Sequence, residues 1–164
     1  MTELALCLIG DSAHTPPSHI LENLSDELAH RRAPGATHTI YEELWHAAFW
    51  QQITLDWVGG AETPCPETAA LGFPSDRDRD AEPFPALCRR FLAGAEQAAA
   101  IASEETLIAQ PIRCPSPAGK PTRTMSVREQ LESLAAHSAY HFGRIVLLRQ
   151  MFASWPPPSG GFTW

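Results

Sequence analysis

Four stretches of this chain carry apolar residues at every third or fourth position, and no stretch alternates apolar and polar residues over the length of a strand. The first period belongs to an amphipathic helix and the second to a half-buried strand, so the pattern selects helices. Prolines and glycines cut the chain between the stretches. "PPSHILENLSDELAHRRA" sets Ile20, Leu21, Leu24 and Leu28 on one stripe, starts on helix-initiating prolines and ends at Pro34-Gly35. The second helix opens at Thr39 with Glu42 three positions on, a capping box in which each side chain satisfies the other residue's free amide. It runs to Gly59-Gly60, and its apolar residues wrap most of its circumference, which predicts burial. The third covers about residues 84–109 and is alanine-rich from Ala93 to Ala102. The fourth opens on a second capping box, Ser126 with Glu129, and runs to about Phe152, before "WPPP".

Four helices without strands predict an all-α fold, a four-helix bundle, and 164 residues suit one domain spanning 1–164. The connection from 59 to 85 between helices 2 and 3 is long for a bundle, long enough to cross it and set those two helices parallel. Within it, "DRDRD" reads as a solvated loop tip whose charges compensate. The second connection, from about 110 to 125, is proline-rich. After "WPPP", Phe162 and Trp164 are expected to pack on the helices.

A net charge of −7 without clustered Lys or Arg argues against a nucleic-acid partner. No apolar run reaches the length of a membrane span, and the short apolar start behind Glu3 lacks the basic flank of a signal peptide. Cys7, Cys65, Cys88 and Cys114 are scattered, with no C-x-x-C, so reduced thiols in the cytoplasm are expected.

Chemistry enters with "AAHSAYHFG". On the fourth helix the stripe reads Leu131, Leu134, His137, Ser138, His141, Ile145, Leu148 and Phe152, so both histidines lie on the apolar face. Side chains four apart stand on successive turns with Cβ atoms about 6 Å apart, and their imidazoles can converge on one ion. A third ligand should come from another helix. His46 shares its face with Phe49, Trp50, Ile53 and Trp57 on one side and with Thr39, Glu42 and Glu43 on the other, as at the edge of a core. His19 and His30 fall on the polar face of helix 1, and His14 and His38 in flanking loops, so these four are expected at the surface. Glu43-Leu-Trp-His46 is an E-x-x-H, but the residues matching its Glu before His137 and His141 are Leu134 and Ser138. A paired-metal carboxylate site therefore lacks its second half, and a single-metal site fits better.

With these residues the chain resembles the DinB/YfiT-like metal-binding four-helix bundles. The resemblance rests on "LWHAAFW", on "AAHSAYHFGRIVLLRQM" and on the ending "WPPPSGGFTW". It extends from "TPPSHILENL" onward and is weakest over the linker from 59 to 85. It implies a cytoplasmic, homodimeric bundle that holds one divalent transition metal per chain on three histidines. By motif match these are His46, His137 and His141, the three the helical faces select. Arg144 stands where the family commonly has Gln, which bears on contacts behind the ligands. The family includes thiol-dependent S-transferases and a thiol-dependent isomerase, implying a small-molecule substrate and a low-molecular-weight thiol.

Three neutral imidazoles leave a divalent ion with an open position, the pattern of catalytic rather than structural sites. Zinc, nickel and iron all accept such a set, as do cobalt and manganese. Ionisation of a bound thiol or water follows, giving S-transfer or hydrolysis as candidate reactions. Glu43, one turn before His46, is a candidate base or partner of a ligand, its simplest reading being a surface carboxylate. The competing class is a non-catalytic protein in which the ion cross-links helices 2 and 4, a reading that Cys88 would favour as a fourth ligand.

Overall fold

A computed structural model describes residues 1–10 and 12–160; the expected packing of Phe162 and Trp164 lies outside them. The described residues are mostly helical, with one small sheet among them. In order come α1 (Glu3–Ile9), α2 (Pro17–Ile20), α3 (Asp26–His30), α4 (Ile40–Val58), a 3-10 turn (Ala69–Gly72) and α5 (Asp76–Ala81). There follow α6 (Phe84–Ala102), α7 (Glu105–Ile108), the hairpin β1 (Pro111–Cys114) and β2 (Arg123–Ser126), and α8 (Val127–Met151).

The two capping boxes set the starts of the helices that carry the inward histidines. The Thr39 amide donates to Glu42 Oε2 at 2.8 Å and the Glu42 amide to Thr39 Oγ1 at 3.2 Å, opening α4. Ser126 and Glu129 do the same for α8 at 2.7 and 3.2 Å. Tyr41 near the start of α4 donates to the Glu82 carbonyl just before α6, at 2.8 Å. At the other end, Leu55 shares a core with Ala98, Ala99 and Ala102. Helices α4 and α6 therefore run parallel, as the long linker allows. Between α4 and α8, Thr54 meets Gln130 and Glu43 meets His141, so these two run antiparallel.

Five sequence expectations change. The single first helix is two short pieces: Asn23 takes the left-handed conformation (φ 52°), and the Ser25 hydroxyl then caps the Leu28 amide at 3.1 Å, restarting the helix as α3. An unforeseen α1 lies against α6 and α8, burying Ala5 and Leu8. It ends at Gly10 (φ 77°), where a Cβ would fall 2.6 Å from Pro17 Cδ, so glycine is required. Third, β1 and β2 pair antiparallel, Pro111 with Ser126 through Cys114 with Arg123, inside what reads as a proline-rich connection. "DRDRD" is a helical turn rather than a loop, capped by Ser75 and without a buried residue. The third helix stops at Ala102, seven residues early, and α7 follows as a separate turn.

The far end of α8 is fastened by Arg149, whose side chain is 2% exposed. It donates to the Ile20 carbonyl at 2.6 Å and, through Nε and Nη2, to the Ser154 carbonyl at 3.1 and 2.7 Å. None of the described helices is long and apolar enough to cross a membrane.

Candidate metal centre

The antiparallel pairing of α4 and α8 puts His46 opposite the gap between His137 and His141. Their Nε2 atoms converge: His46 lies 3.2 Å from His137, and His137 3.1 Å from His141. Among the described residues, these three form the group of side chains whose ligand atoms all lie within 4.8 Å of one another.

Two of the three tautomers follow from their partners. His46 Nδ1 stands 2.7 Å from the Gly72 carbonyl, which can only accept, so Nδ1 carries the proton and Nε2 the lone pair. His141 Nδ1 stands 2.7 Å from Glu43 Oε2 and donates to it, again leaving Nε2 with its lone pair. His137 Nδ1 is buried without a partner. Lone pairs at hydrogen-bond distance repel unless a proton or a cation stands between them. One proton on His137 Nε2 can serve one neighbour, whereas a cation serves all three. Nitrogens about 2.0–2.1 Å from a tetrahedral ion would stand about 3.3–3.4 Å apart, close to the spacings found. The donor set therefore fits a divalent metal.

Electrostatics favour the neutral form of His137 and His46. Burial, together with the neighbouring His141 and His46, pushes His137 down from 6.5 to about 4. Burial likewise lowers His46, against the opposing pull of its hydrogen bond to Gly72. Neutral imidazole is the metal-binding form.

Glu43 corrects the sequence reading. It is not a surface carboxylate but fully buried, with 0% exposure. One oxygen accepts from His141, and the other from Arg144 Nε at 2.7 Å. Burial works against its charge, yet these two hydrogen bonds outweigh it and hold the carboxyl below its ordinary 4.5. With both oxygens engaged, Glu43 orients His141 and has no free edge to act as a base. Arg144 in turn reaches the Tyr140 hydroxyl and Thr37 Oγ1, both at 3.3 Å.

Sequence reasoning missed the contribution of the linker. Gly72 supplies the carbonyl behind His46, and a Cβ there would sit 3.3 Å from two atoms of that ring, so the backbone approaches closely because the side chain is absent. Phe73 stacks on His46 with centroids 4.2 Å apart and on His38 at 4.0 Å. A glycine-aromatic pair in a loop was the available signal, and no periodicity marks it.

The remaining histidines stay out of the triad but are half-buried rather than solvated. His30 stacks on Tyr41 at 4.4 Å, and His14 packs near Phe142. His19 Nδ1 is buried without a partner. Cys88 packs against the core beside Phe91 and Ala95, its thiol pushed by burial to about 12, and it does not join the histidines.

The family model described as the DinB superfamily matches residues 18–145, a span that contains all three histidines. No curated protein and no solved structure matches the chain. The chain belongs to the DinB superfamily.

Proposed function

From that membership and the triad together, we propose that the chain is a metal-dependent enzyme of the thiol S-transferase type. His46, His137 and His141 hold one divalent transition metal, with zinc, nickel and iron the best-suited ions. The observation that carries this reading is the convergence of three Nε2 atoms, two with tautomers fixed from behind by Gly72 and Glu43. When bound, the ion supplies a Lewis acid that lowers the pKa of a thiol or water. The side chains do the rest. Glu43 and Arg144 cancel each other's charge, so the positive charge of the centre stays uncompensated and favours an anionic sulfur. Phe73, Trp50 and Tyr140 pack around the imidazoles and limit their rotation. A cavity of about 390 Å³ opens beside the triad between Thr37, Phe73, Tyr140 and Arg144, giving access to small molecules.

In the transfer, sulfur forms a bond to an electrophilic carbon, the leaving group departs with its electron pair, and the thiol proton passes to solvent. With water in place of the thiol the same centre is a hydrolase. The fold in this reading is a four-helix bundle, with α4, α6 and α8 at three corners and α1 with α2–α3 at the fourth. The protein works in the cytoplasm as a homodimer, on a small molecule rather than on nucleic acid or membrane. The test is consumption of free thiol by metal-loaded protein, with glutathione and cysteine as probes and a chlorinated nitroaromatic as electrophile. Turnover above the uncatalysed rate, lost in His137→Ala, supports the reading. Metal binding without thiol consumption or hydrolysis of a test ester makes the centre a non-catalytic cross-link between α4 and α8.

A further inference from the structure

His137 also borders a second cavity, of about 240 Å³, on the far side of the triad from Phe73. Trp50 and Trp57 of α4 wall it, Arg123 and Met125 of β2 face them, and Gln130 and His137 of α8 close it. The hairpin creates it: Ile53, Trp57 and Cys114 form a small core of their own, with Trp50 and Met125 packed against it.

The walls narrow what fits. Trp57 is 2% exposed and its indole N–H is already donated to the Thr63 carbonyl at 2.8 Å, so it forms the closed floor, and the half-buried Trp50 and Met125 offer the apolar surface. Gln130 donates to Thr54 Oγ1 at 3.1 Å, so these two buried polar side chains largely satisfy each other. Arg123 carries the one fixed charge on the lining, and no carboxylate among the described residues pairs with it. In the other cavity, by contrast, the arginine is held by Glu43. The volume lies below the roughly 300–1,000 Å³ of sites for drug-sized ligands, which limits the occupant to one ring or a short chain.

We propose that this cavity is the substrate pocket of the triad and takes a small amphiphilic carboxylate, its apolar body against Trp50 and Met125, its anion on Arg123 and its far end towards His137. This rests on the triad being a metal centre, but binding in the pocket is read without it. The probe is phenylacetate, with the isosteric neutral phenylacetamide as control, titrated against tryptophan fluorescence of the full chain in metal-loaded and metal-stripped forms. The acid is expected to bind about tenfold more tightly than the amide in both forms, the scale of one charge-assisted contact. Arg123→Gln, at an exposed position, erases that difference and leaves the metal content unchanged. Equal binding of acid and amide, or of neither, overturns the proposal. Loss of the acid's preference on metal stripping also overturns it, because the carboxylate would then sit on the ion. Elemental analysis of the same samples separates these outcomes from failure of the metal reading: a protein without metal that still prefers the acid through Arg123 retains the pocket and loses the enzyme.

Discussion

Replacing Glu43 with Gln keeps the shape of the side chain and removes an acceptor that the centre requires. The carboxylate accepts two hydrogen bonds of 2.7 Å, from His141 Nδ1 and Arg144 Nε, one on each oxygen. An amide has one oxygen. If it faces His141, the amide N–H₂ meets the Arg144 N–H, and Arg144, whose side chain is 34% exposed, swings towards solvent. If it faces Arg144, the amide donates to His141 Nδ1, and the imidazole proton moves to Nε2, where it blocks the metal. Either way one charge-assisted bond is lost, a cost of about 1.5–3 kcal/mol in stability. Loss of such a partner behind a ligand typically weakens metal binding by about 10–100-fold. Competition with a chromophoric chelator measures the affinity, and urea unfolding of the metal-free protein measures the stability. Arg144→Met is the control. It removes the other half of the pair but leaves a carboxylate on His141, so stability falls while metal affinity is held or raised. Unchanged affinity in Glu43→Gln, or equal losses in both variants, would refute the assignment of Glu43 as the residue that orients His141.

Arg149→Met strips the hydrogen bonds from the Ile20 and Ser154 carbonyls and is expected to cost about 2–4 kcal/mol, read as a lower urea midpoint without loss of metal. Alkylation of the native protein by iodoacetamide at mildly alkaline pH should spare Cys88, whose thiol burial holds at about 12, and should reach it once urea is added; fast native labelling would contradict its packing against Phe91. Acid should destabilise the metal-free protein in two overlapping windows. The unfolded chain takes up a proton on His137 below 6.5, which the fold refuses until about 4, so stability falls as pH drops through that interval. Glu43 adds a contribution present above 4.5 and lost as pH falls below it, because its folded pKa is depressed. A urea midpoint that stays flat across both windows would contradict the buried, neutral state of His137.

Periodicity and caps carried the long helices, because α4 and α8 are specified locally: Thr39 with Glu42 and Ser126 with Glu129 fix their starts whatever else the chain does. The same periodicity misled over residues 16–33. Asn23 and Ser25 break that helix by backbone conformation and capping, which an apolar stripe does not register. The hairpin escaped notice because four-residue strands are too short for alternation to stand out, and its burial depends on Trp57 across the fold. At the candidate centre, one helical face brought His137 and His141 together, and the aromatic face of α4 pointed to His46. Gly72, Phe73 and the buried state of Glu43 depend on how the linker folds back and on where Arg144 reaches. These are tertiary facts, of which the Gly72-Phe73 pair is the one local trace.

The proposed function stands or falls on three histidines from two helices holding one ion. Elemental analysis of the untagged protein, beside His46→Ala, His137→Ala and His141→Ala, tests it most directly. About one divalent transition metal per chain is expected in the parent and is lost in each variant, with helical content retained. A parent that takes up no metal after reconstitution, or variants that keep it in full, would refute the three-histidine site and leave the triad a hydrogen-bonded part of the core.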